Sequence, residues 1–403
     1  MLQTHTATPI RPIHASLFLV LAGICAALHI WKLSPALPEL QRELGLDLVE
    51  SGFLLSLVQL GGMTLGLITG LFAERIGLRR CVLIGLGILA FASAGGTLFH
   101  TKTMILVCRA IEGCGFLMIA LPTPALIKRL VPTHMLNRIM SLWSCFMPIG
   151  TVIILLGGSW LLSVGSWRML WLLLAALTLL LLWLARRIIP ADPPNPYTSS
   201  AMAHPAAWSM VRTTLASRNV WMISLIFGAY AAQWTAIIGF LPTIYADAGV
   251  SGTTAGLLTA IIAGSNIIGN LSAGRLLHQG IDAHKLLIIG FLTMMISAFI
   301  AFGMGQSTTV QFFAILVLCI VSGLIPATLF VLAIHYAPTP QTISATVGWM
   351  QQCSSLGQFS GPPVVAWVVN LSGGWEWTWI ATGGYALLGI VLAMQIGRRS
   401  SRA

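Results

Sequence analysis

Charged residues are scarce in this chain of 403 residues, because Asp, Glu, Lys and Arg together make up only 8% of it. Soluble globular domains carry about 25%. Hydrophobic residues make up 57% of the chain, and the mean hydropathy is +0.90. Such a composition indicates that the lipid bilayer is the main solvent. Lipid cannot hydrogen-bond a bare backbone, and apolar runs of about 20 residues favour helices over a closed barrel, so we predict an all-α membrane protein.

Sequence motifs that define several other functional classes are also missing. The seven cysteines form no C-x-x-C pair, so we interpret them as small core residues and predict no metal site and no cofactor. The absence of a phosphate-binding P-loop argues against ATP drive, and the absence of H-E-x-x-H and G-x-S-x-G argues against a membrane-embedded enzyme. We also expect no cleavable signal peptide, since the first apolar segment is long enough to span a membrane. The chain is therefore predicted not to be an enzyme.

Twelve apolar segments have the length of membrane helices, six on each side of a polar break. The predicted spans are 15–37, 50–72, 80–99, 103–127, 138–163, 167–189, 219–243, 254–276, 285–305, 309–335, 342–370 and 376–397. The span 342–370 is the least apolar, because glutamines and serines interrupt it. We predict residues 1–189 as an N-terminal six-helix half, 190–218 as a cytoplasmic linker with a candidate surface helix, and 219–403 as a C-terminal six-helix half.

A fixed offset of 204 residues relates the two predicted halves. The residues that recur at this offset are Leu37-Pro38, Gly45, Gly52 and Gly70, with counterparts Leu241-Pro242, Gly249, Gly256 and Gly274. At the same offset, Gly62 and Gly66 become Asn266 and Asn270. These two asparagines share one helix face, so they either bond a neighbouring helix or line a cavity. We interpret the offset as a duplication that gives two pseudo-symmetric halves.

Basic residues indicate how the chain is oriented in the membrane. If both termini are cytoplasmic, sixteen of the 21 Lys and Arg residues fall on the cytoplasmic side, as the positive-inside rule requires. These topology signals also explain the net charge of +11, so we predict no nucleic-acid binding. We expect a monomer in the plasma membrane, most simply the bacterial inner membrane, whose partners are the lipid bilayer, a small-molecule substrate and protons.

Two motifs carry a resemblance to a known family. Residues 70–80, GLFAERIGLRR, follow the second predicted helix and resemble the loop signature of the major facilitator superfamily, G-x-x-x-[D/E]-R-x-G-x-[R/K]-[R/K]. Residues 109–115, RAIEGCG, are similar to its R-x-x-Q-G-x-G motif, with Glu112 where Gln is usual. The segments 147–150 and 165–168 resemble the cyanate-permease-like branch, a similarity that transfers no substrate. The resemblance implies a transporter of twelve helices, with helices 1, 4, 7 and 10 around a central cavity.

The loop signature predicts a gate at the cytoplasmic ends of the helices. Charges at helix ends can pair with helix termini and with the opposite half in one conformation only. The predicted gating residues are Gly70, Glu74, Arg75, Gly77, Arg79 and Arg80. Positive-inside anchoring is the alternative interpretation, and it fits Arg79 and Arg80 best.

Four ionisable side chains are predicted inside the bilayer, where a charge is costly and therefore marks function: His29, Lys32, Arg109 and Glu112. Each pair has i, i+3 spacing, and a rise of 1.5 Å per residue puts His29 and Arg109 at similar depth. We expect the three basic side chains, His29, Lys32 and Arg109, to converge. We also expect the pair of Arg109 and Glu112 to couple transport to protons. Alternatively, Arg109 and Glu112 only neutralise one another, Lys32 snorkels outward, and His29 is a core histidine.

The family resemblance also implies a substrate site in the central cavity. Its predicted residues are His29, Lys32, Arg109, Tyr230, Gln233 and Trp234. Three cations against one acid favour a small anionic or polar solute. We therefore predict a secondary active transporter that works by alternating access and is coupled to protons. The alternative is a proton-driven drug or metabolite exporter, although helix 5 lacks the full G-x-x-x-G-P-x-x-G-G motif and helix 1 lacks an acid.

Overall fold

The computed structural model describes residues 11–64, 66, 76–99, 101–132, 135, 139, 142–143, 145–192, 204–305, 307–339 and 342–400. Within these ranges the chain consists of helices and short connections, without a β-strand. Three predicted gating residues, Gly70, Glu74 and Arg75, lie outside the described residues. The all-α membrane fold predicted from composition is confirmed.

Ten helices in the described part of the chain are long and apolar enough to span a membrane. They are α1 (Ile13–Leu44), α3 (Leu78–Gly96), α4 (Lys102–Leu130), α5 (Phe146–Val164), α6 (Trp167–Ile188), α7 (Arg218–Asp247), α8 (Gly252–His278), α9 (Ala283–Gly303), α10 (Thr308–Tyr336) and α12 (Trp375–Ile396). Two further helices complete the order: the shorter apolar α2 (Leu48–Thr64) and the 30-residue α11 (Ile343–Ser372). A linker helix, His204–Ala216, precedes α7.

The first helix is longer than its predicted span. It continues to Leu44 instead of ending at residue 37, and a single turn residue, Lys32, divides it into Arg11–Trp31 and Leu33–Leu44. Gly45 ends it in the left-handed region at φ +60°, where its N–H bonds the carbonyl of Gln41. A capping box formed by Asp47 and Glu50 then starts α2. The connection from α1 to α2 is therefore short and well defined.

We call the side of the bundle that carries Gly45, Gly249 and Gly373 the Gly45 end, and the opposite side, which carries Gly77 and Arg129, the Arg129 end. At the Gly45 end the first six helices pack against the last six, with α1 on α7, α2 on α11 and α5 on α8. The Ser34 hydroxyl also donates to the carbonyls of Ile238 and Gly239, at 3.1 and 3.0 Å. The Gly45 end is therefore closed.

Two glycines of the sequence repeat lie at these contacts. A Cβ on Gly52 of α2 would lie 2.8 Å from Pro363 Cα of α11, and a Cβ on Gly256 of α8 would overlap Ser159 of α5. Glycine permits this close approach because it has no side chain. Gly52 and Gly256 thus mark places where the two sets of six helices meet.

Candidate functional site

Four ionisable side chains come together inside the first six helices. His29 and Lys32 project from α1, and Arg109 and Glu112 project from α4. Each is at most 1% exposed. Because residues three apart share a helix face, the packing of α1 against α4 puts both pairs in one cluster. We call these four residues the ion cluster.

Glu112 is the centre of the ion cluster. Its Oε1 accepts a hydrogen bond from Lys32 Nζ, and its Oε2 accepts one from Arg109 Nη1 at 2.5 Å. His29 Nδ1 lies 3.8 Å from Glu112 Oε1, which is too far for a hydrogen bond. One carboxylate therefore bridges both cations, and the cluster carries one net positive charge when His29 is neutral.

Arg109 also holds the backbone of α1. Its Nη1 donates to the carbonyl of His29 at 2.8 Å, and its Nη2 donates to the carbonyl of Ile30 at 3.1 Å. Both carbonyls belong to the last turn of α1 before the break at Lys32. A planar guanidinium can serve a carboxylate and two carbonyls at once, whereas an ammonium group cannot match this geometry. Arg109 therefore ties the shape of α1 to the charge on Glu112.

Lys32 has two further contacts within the first six helices. Its Nζ donates to Ser93 Oγ of α3 at 2.8 Å and lies 4.4 Å from the ring centroid of Trp171 on α6. The Ser93 hydroxyl in turn donates to the Trp171 carbonyl at 3.1 Å. These contacts hold the ammonium group inside the bundle, so Lys32 does not snorkel to the membrane surface.

The contacts of His29 indicate its tautomer. His29 Nε2 lies 2.8 Å from Thr178 Oγ1, whose own hydroxyl donates to the Leu174 carbonyl at 2.6 Å. Since the hydroxyl proton points to Leu174, we assign the donor role in the first contact to His29 Nε2. The lone pair of the neutral ring then lies on Nδ1, which faces Glu112. His29 is thus positioned to receive a proton on that nitrogen.

The ion cluster faces α3 and α6, and the other three predicted substrate residues lie elsewhere. Tyr230 accepts a hydrogen bond from Asn266 at 3.3 Å, and the Gln233 amide donates to the Met294 carbonyl at 3.4 Å. Both are buried among the last six helices. Trp234 differs, because its ring meets Trp31 edge to face across the two halves, with ring centroids 5.3 Å apart. The structure therefore brings together four predicted residues and separates Tyr230, Gln233 and Trp234 from them.

A narrow chamber of about 10 Å³, which is room for about one water molecule, lies between the halves next to this pair of tryptophans. Its lining residues are Ile30, Trp31, Leu55, Val58, Gln59, Thr235, Gly239 and Gln358. The Gln59 amide donates to Gln358 Oε1 at 3.0 Å across the interface. Trp31 Nε1 and Thr235 Oγ1 are buried and have no hydrogen-bond partner among the described residues. We call this cavity the inter-half chamber.

Sequence reasoning missed most of the inter-half chamber. Trp31 precedes Lys32, and the two side chains diverge, one toward the last six helices and the other into the ion cluster. Gln59 is a polar residue in an otherwise apolar segment, and Gln358 lies in the predicted span that glutamines and serines interrupt. That polarity was the available signal, since an amide inside a membrane helix needs a partner or a watery cavity.

The described part of the predicted gate is held by Asp192, which lies at the start of the predicted linker. The Asp192 carboxylate accepts hydrogen bonds from the backbone N–H groups of Arg79 and Arg80, at 3.1 and 3.2 Å, and from Arg129 Nη2 at 2.9 Å. Gly77 adopts φ +100°, and a Cβ there would overlap the same carboxylate. These contacts fix the start of α3 at the Arg129 end. A gating role for Gly77, Arg79 and Arg80 stays a prediction.

The contacts of Asp192 predict a pH-dependent stability. Burial alone raises the pKa of Asp192, but hydrogen bonds from Arg129, Arg79 and Arg80 outweigh this effect and hold the pKa below its usual 3.8. A lowered folded-state pKa contributes stability above the unfolded-state pKa, and that stability is lost as the pH falls through the folded-state pKa. We expect Asp192→Asn to destabilise the protein by roughly 1 kcal/mol at pH 7, as a lower unfolding temperature. A difference that persists unchanged below the folded-state pKa would contradict this.

Solved transporter structures share the fold of this chain. A bacterial homologue of the human lysosomal transporter Spinster, in an inward-facing and occupied conformation, matches with a TM-score of 0.82 at 15% identity, over 97% of this chain and 98% of that chain. The nucleoside transporter NupG matches with a TM-score of 0.75 at 15% identity, over 94% of this chain and 99% of that chain. A D-xylose-proton symporter matches with a TM-score of 0.72 at 17% identity, over 95% of this chain and 96% of that chain. At these identities, the similarity shows the fold alone.

Sequence relatives include uncharacterised MFS-type transporters of Mycobacterium tuberculosis. One, from strain ATCC 25618 / H37Rv, is 26% identical over 227 residues, which cover 53% of this chain and 33% of the relative. Another from that strain is 27% identical over 131 residues, which cover 32% of this chain and 23% of the relative. The match therefore spans about a third or less of the length of these relatives. The similarity to the cyanate-permease-like branch stays a prediction.

The strongest sequence comparison covers nearly the whole chain. The profile of the Major Facilitator Superfamily matches residues 19–235 and, a second time, residues 223–402. Transporters of this family share the fold described above. The chain is a multi-pass membrane protein that belongs to the major facilitator superfamily of transporters.

Proposed function

We propose that this protein is a secondary active transporter that moves a small polar solute by alternating access and couples the movement to protons. One short segment of α1 carries the proposal, because Trp31 contacts the opposite half while Lys32, the next residue, belongs to the buried ion cluster. A change of charge in the ion cluster can therefore alter the contact between the two halves through α1. Two sets of six helices that rock about a central site are the general design of such transporters.

The arrangement around Glu112 supports the proposal of proton coupling. A proton on its carboxylate would weaken the bonds to Lys32 and to Arg109 together. Arg109 would then be free to change its hold on the α1 carbonyls before the break at Lys32. His29 Nδ1, 3.8 Å from the carboxylate, is the nearby ring nitrogen that could pass a proton to and from it. Arg109 and Glu112 thus remain our proposed coupling pair, with His29 as a proton relay.

We propose that the solute binds at the inter-half chamber when the halves separate, because the closed chamber of about 10 Å³ has room for about one water molecule. An unsatisfied buried polar group costs about 1–3 kcal/mol, and a polar solute would offer partners to Trp31 Nε1 and Thr235 Oγ1. The tryptophan rings of Trp31 and Trp234 suit a planar group. A negative charge on the solute would be compensated by the excess positive charge of Lys32 and Arg109, which lie behind Trp31. Tyr230 and Gln233, which are buried among the last six helices, would then hold α7 in position beside the chamber.

We place the Arg129 end of the bundle in the cytoplasm, following the positive-inside rule. The closed Gly45 end then faces outward, and residues 190–218 form a cytoplasmic linker between the halves. For a bacterial protein this corresponds to the inner membrane with both termini inside, and we propose that the transporter acts as a monomer.

Gly52 provides a test of alternating access. We expect Gly52→Val to shift the population toward a state open at the Gly45 end, because the new side chain would collide with the backbone of Pro362 and Pro363. The measurement is hydrogen exchange of α2 in nanodiscs, which we expect to become faster. Gly252→Ala is the matched control, since a Cβ there meets nothing within 4 Å. Equal exchange in the Gly52→Val variant and the wild type would rule out Gly52 as an inter-half contact that biases the conformation.

Transport in proteoliposomes tests the proposed function. The assay compares the uptake of small neutral polar solutes, small anions and lipophilic cations with and without an imposed proton gradient. We expect accumulation of a polar or anionic solute that stops when the gradient is collapsed. Transport of lipophilic cations in preference to these solutes would move the assignment to the proton-driven exporter.

A further inference from the structure

Each half carries a carboxylate at the Gly45 end of its first helix. Glu43 on α1 and Asp247 on α7 are counterparts at the 204-residue repeat offset. Each accepts a hydrogen bond from an indole N–H at the start of the last helix of its half. Trp167 Nε1 lies 2.6 Å from Glu43, and Trp375 Nε1 lies 2.8 Å from Asp247. The two halves thus repeat a pair of one carboxylate and one tryptophan.

The residue after the tryptophan differs between the halves. In the first half it is Arg168, whose Nη2 lies 2.6 Å from Glu43 Oε1 and whose guanidinium lies 4.4 Å from the centroid of the Trp167 ring. In the second half it is Glu376, which has the opposite charge. Among the described residues, Asp247 forms no salt bridge. The same carboxylate and indole groups that hold a guanidinium in the first half therefore have no such partner among the described residues of the second half.

A cavity of about 380 Å³ lies beside Asp247, within the range of small-molecule sites. Its lining residues come from both halves: Gln41, Leu48, Thr243, Asp247, Val369, Asn370, Gly373, Gly374 and Trp375. Thr243 is only 3% exposed, and its hydroxyl has no hydrogen-bond partner in the described part of the chain. The Glu376 carboxylate lies against Gly374 at the edge of the cavity. The walls therefore offer acceptors, an indole and negative charge, and no cationic side chain.

We propose that this cavity binds a small organic cation with a guanidinium or ammonium group. Asp247 would pair with the cation as Glu43 pairs with Arg168, and the Trp375 ring would contact it as Trp167 contacts that guanidinium. The Thr243 hydroxyl and the Gln41 and Asn370 amides supply acceptors for its remaining N–H groups. The site is separate from the inter-half chamber and from the ion cluster.

Binding at this site favours one conformation of the protein. Gln41 and Leu48 belong to the first half and the other lining residues to the second, so the full set of contacts exists only while the Gly45 end is closed. A ligand shifts a two-state equilibrium toward the state that it binds better. The cation would therefore stabilise the closed Gly45 end without being the transported solute.

Calorimetric titration of the full-length protein in nanodiscs with agmatine, a small guanidinium compound, tests the proposal. We expect saturable binding that weakens by about fivefold in Asp247→Asn, since the charge-assisted contact with this exposed carboxylate is lost. Glu43→Gln is the matched control and should bind agmatine like the wild type, because Glu43 already pairs with Arg168. Glu376→Arg should abolish agmatine binding, because the new guanidinium would pair with Asp247 as Arg168 pairs with Glu43.

Unchanged agmatine affinity in Asp247→Asn, or an equal loss in Glu43→Gln, overturns the proposal. If Asp247→Asn does not fold, Glu376→Arg decides, because it retains Asp247 and its bond to Trp375. Full agmatine binding in that variant also overturns the proposal. The readout is binding without transport, so a failure here and a failure of the proposed transport function remain distinguishable.

Discussion

Glu112→Gln is expected to destabilise the protein by about 3–5 kcal/mol, because removing one partner of a buried ion pair leaves an uncompensated charge. Here it leaves two, since Lys32 and Arg109 both bind this carboxylate. The net charge of the ion cluster would rise from +1 to +2 with His29 neutral. We also expect proton-driven accumulation to be lost, because Gln cannot take up a proton. Thermal unfolding in detergent measures the first effect, and uptake in proteoliposomes measures the second.

A second substitution separates the two effects of Glu112→Gln. Lys32→Met combined with Glu112→Gln returns the cluster to one net positive charge, so we expect most of the stability to return. Proton-driven accumulation should still be absent, whereas counterflow exchange of the solute should continue. If Glu112→Gln were as stable as the wild type, or if the double variant were no more stable than Glu112→Gln, the ion pairs would not have the role assigned to them.

Arg109→Lys is expected to reduce proton-driven uptake by tenfold or more, which corresponds to the loss of about 1–3 kcal/mol of coupling between two sites. The substitution keeps the positive charge, so the ion cluster stays neutralised to the same degree. An ammonium group cannot bond Glu112 and the carbonyls of His29 and Ile30 together. The charge of Glu112 would then no longer be tied to the shape of α1.

Arg168→Lys is the matched control for Arg109→Lys. Arg168 also pairs with a carboxylate, that of Glu43, but it is 27% exposed, and exposed pairs contribute only about 0–1 kcal/mol. We expect uptake close to that of the wild type. Wild-type uptake in a well-expressed Arg109→Lys variant would show that the charge alone suffices and that the carbonyl contacts are not needed for coupling.

Hydropathy predicted the order of the helices well but not the full length of α1. Apolar runs report the hydrocarbon-facing part of a helix, and α1 continues beyond residue 37 into a polar turn that contains Glu39, Arg42 and Glu43. Pro38 lies inside this part of the helix. Membrane helices tolerate proline where other groups satisfy the freed carbonyls, so neither polarity nor proline marked the true end.

Spacing and depth predicted the members of the ion cluster, because both follow from the geometry of a single helix. The direction in which the cluster faces depends on other helices. Ser93 on α3 and Thr178 on α6 bind Lys32 and His29, and no sequence spacing relates residues on separate helices. The inter-half chamber was missed for the same reason, since its residues, such as Gln59 and Gln358, come from opposite halves.

The same limit applies to the residues predicted from the repeat. Gln233 is the repeat counterpart of His29, and both side chains point into their own half instead of toward the interface. A repeat predicts equivalent positions but not which face of the helix meets the cavity. Asn266, one of the two candidate packing residues, bonds the Cys319 carbonyl and Ser322 of α10. It thus fits the interpretation as a helix-packing residue.

The central claim is that protonation of the ion cluster changes the separation of the two halves. Spin labels at Arg42 and Thr253, exposed residues at the Gly45 end in opposite halves, report the separation of the halves by electron–electron resonance in nanodiscs. We predict that the distance distribution of the wild type shifts as the pH is lowered, because protonation of Glu112 weakens its bonds to Lys32 and Arg109. The Lys32→Met/Glu112→Gln variant should show no shift. A wild-type distribution that ignores pH, or a double variant that responds like the wild type, would contradict the account.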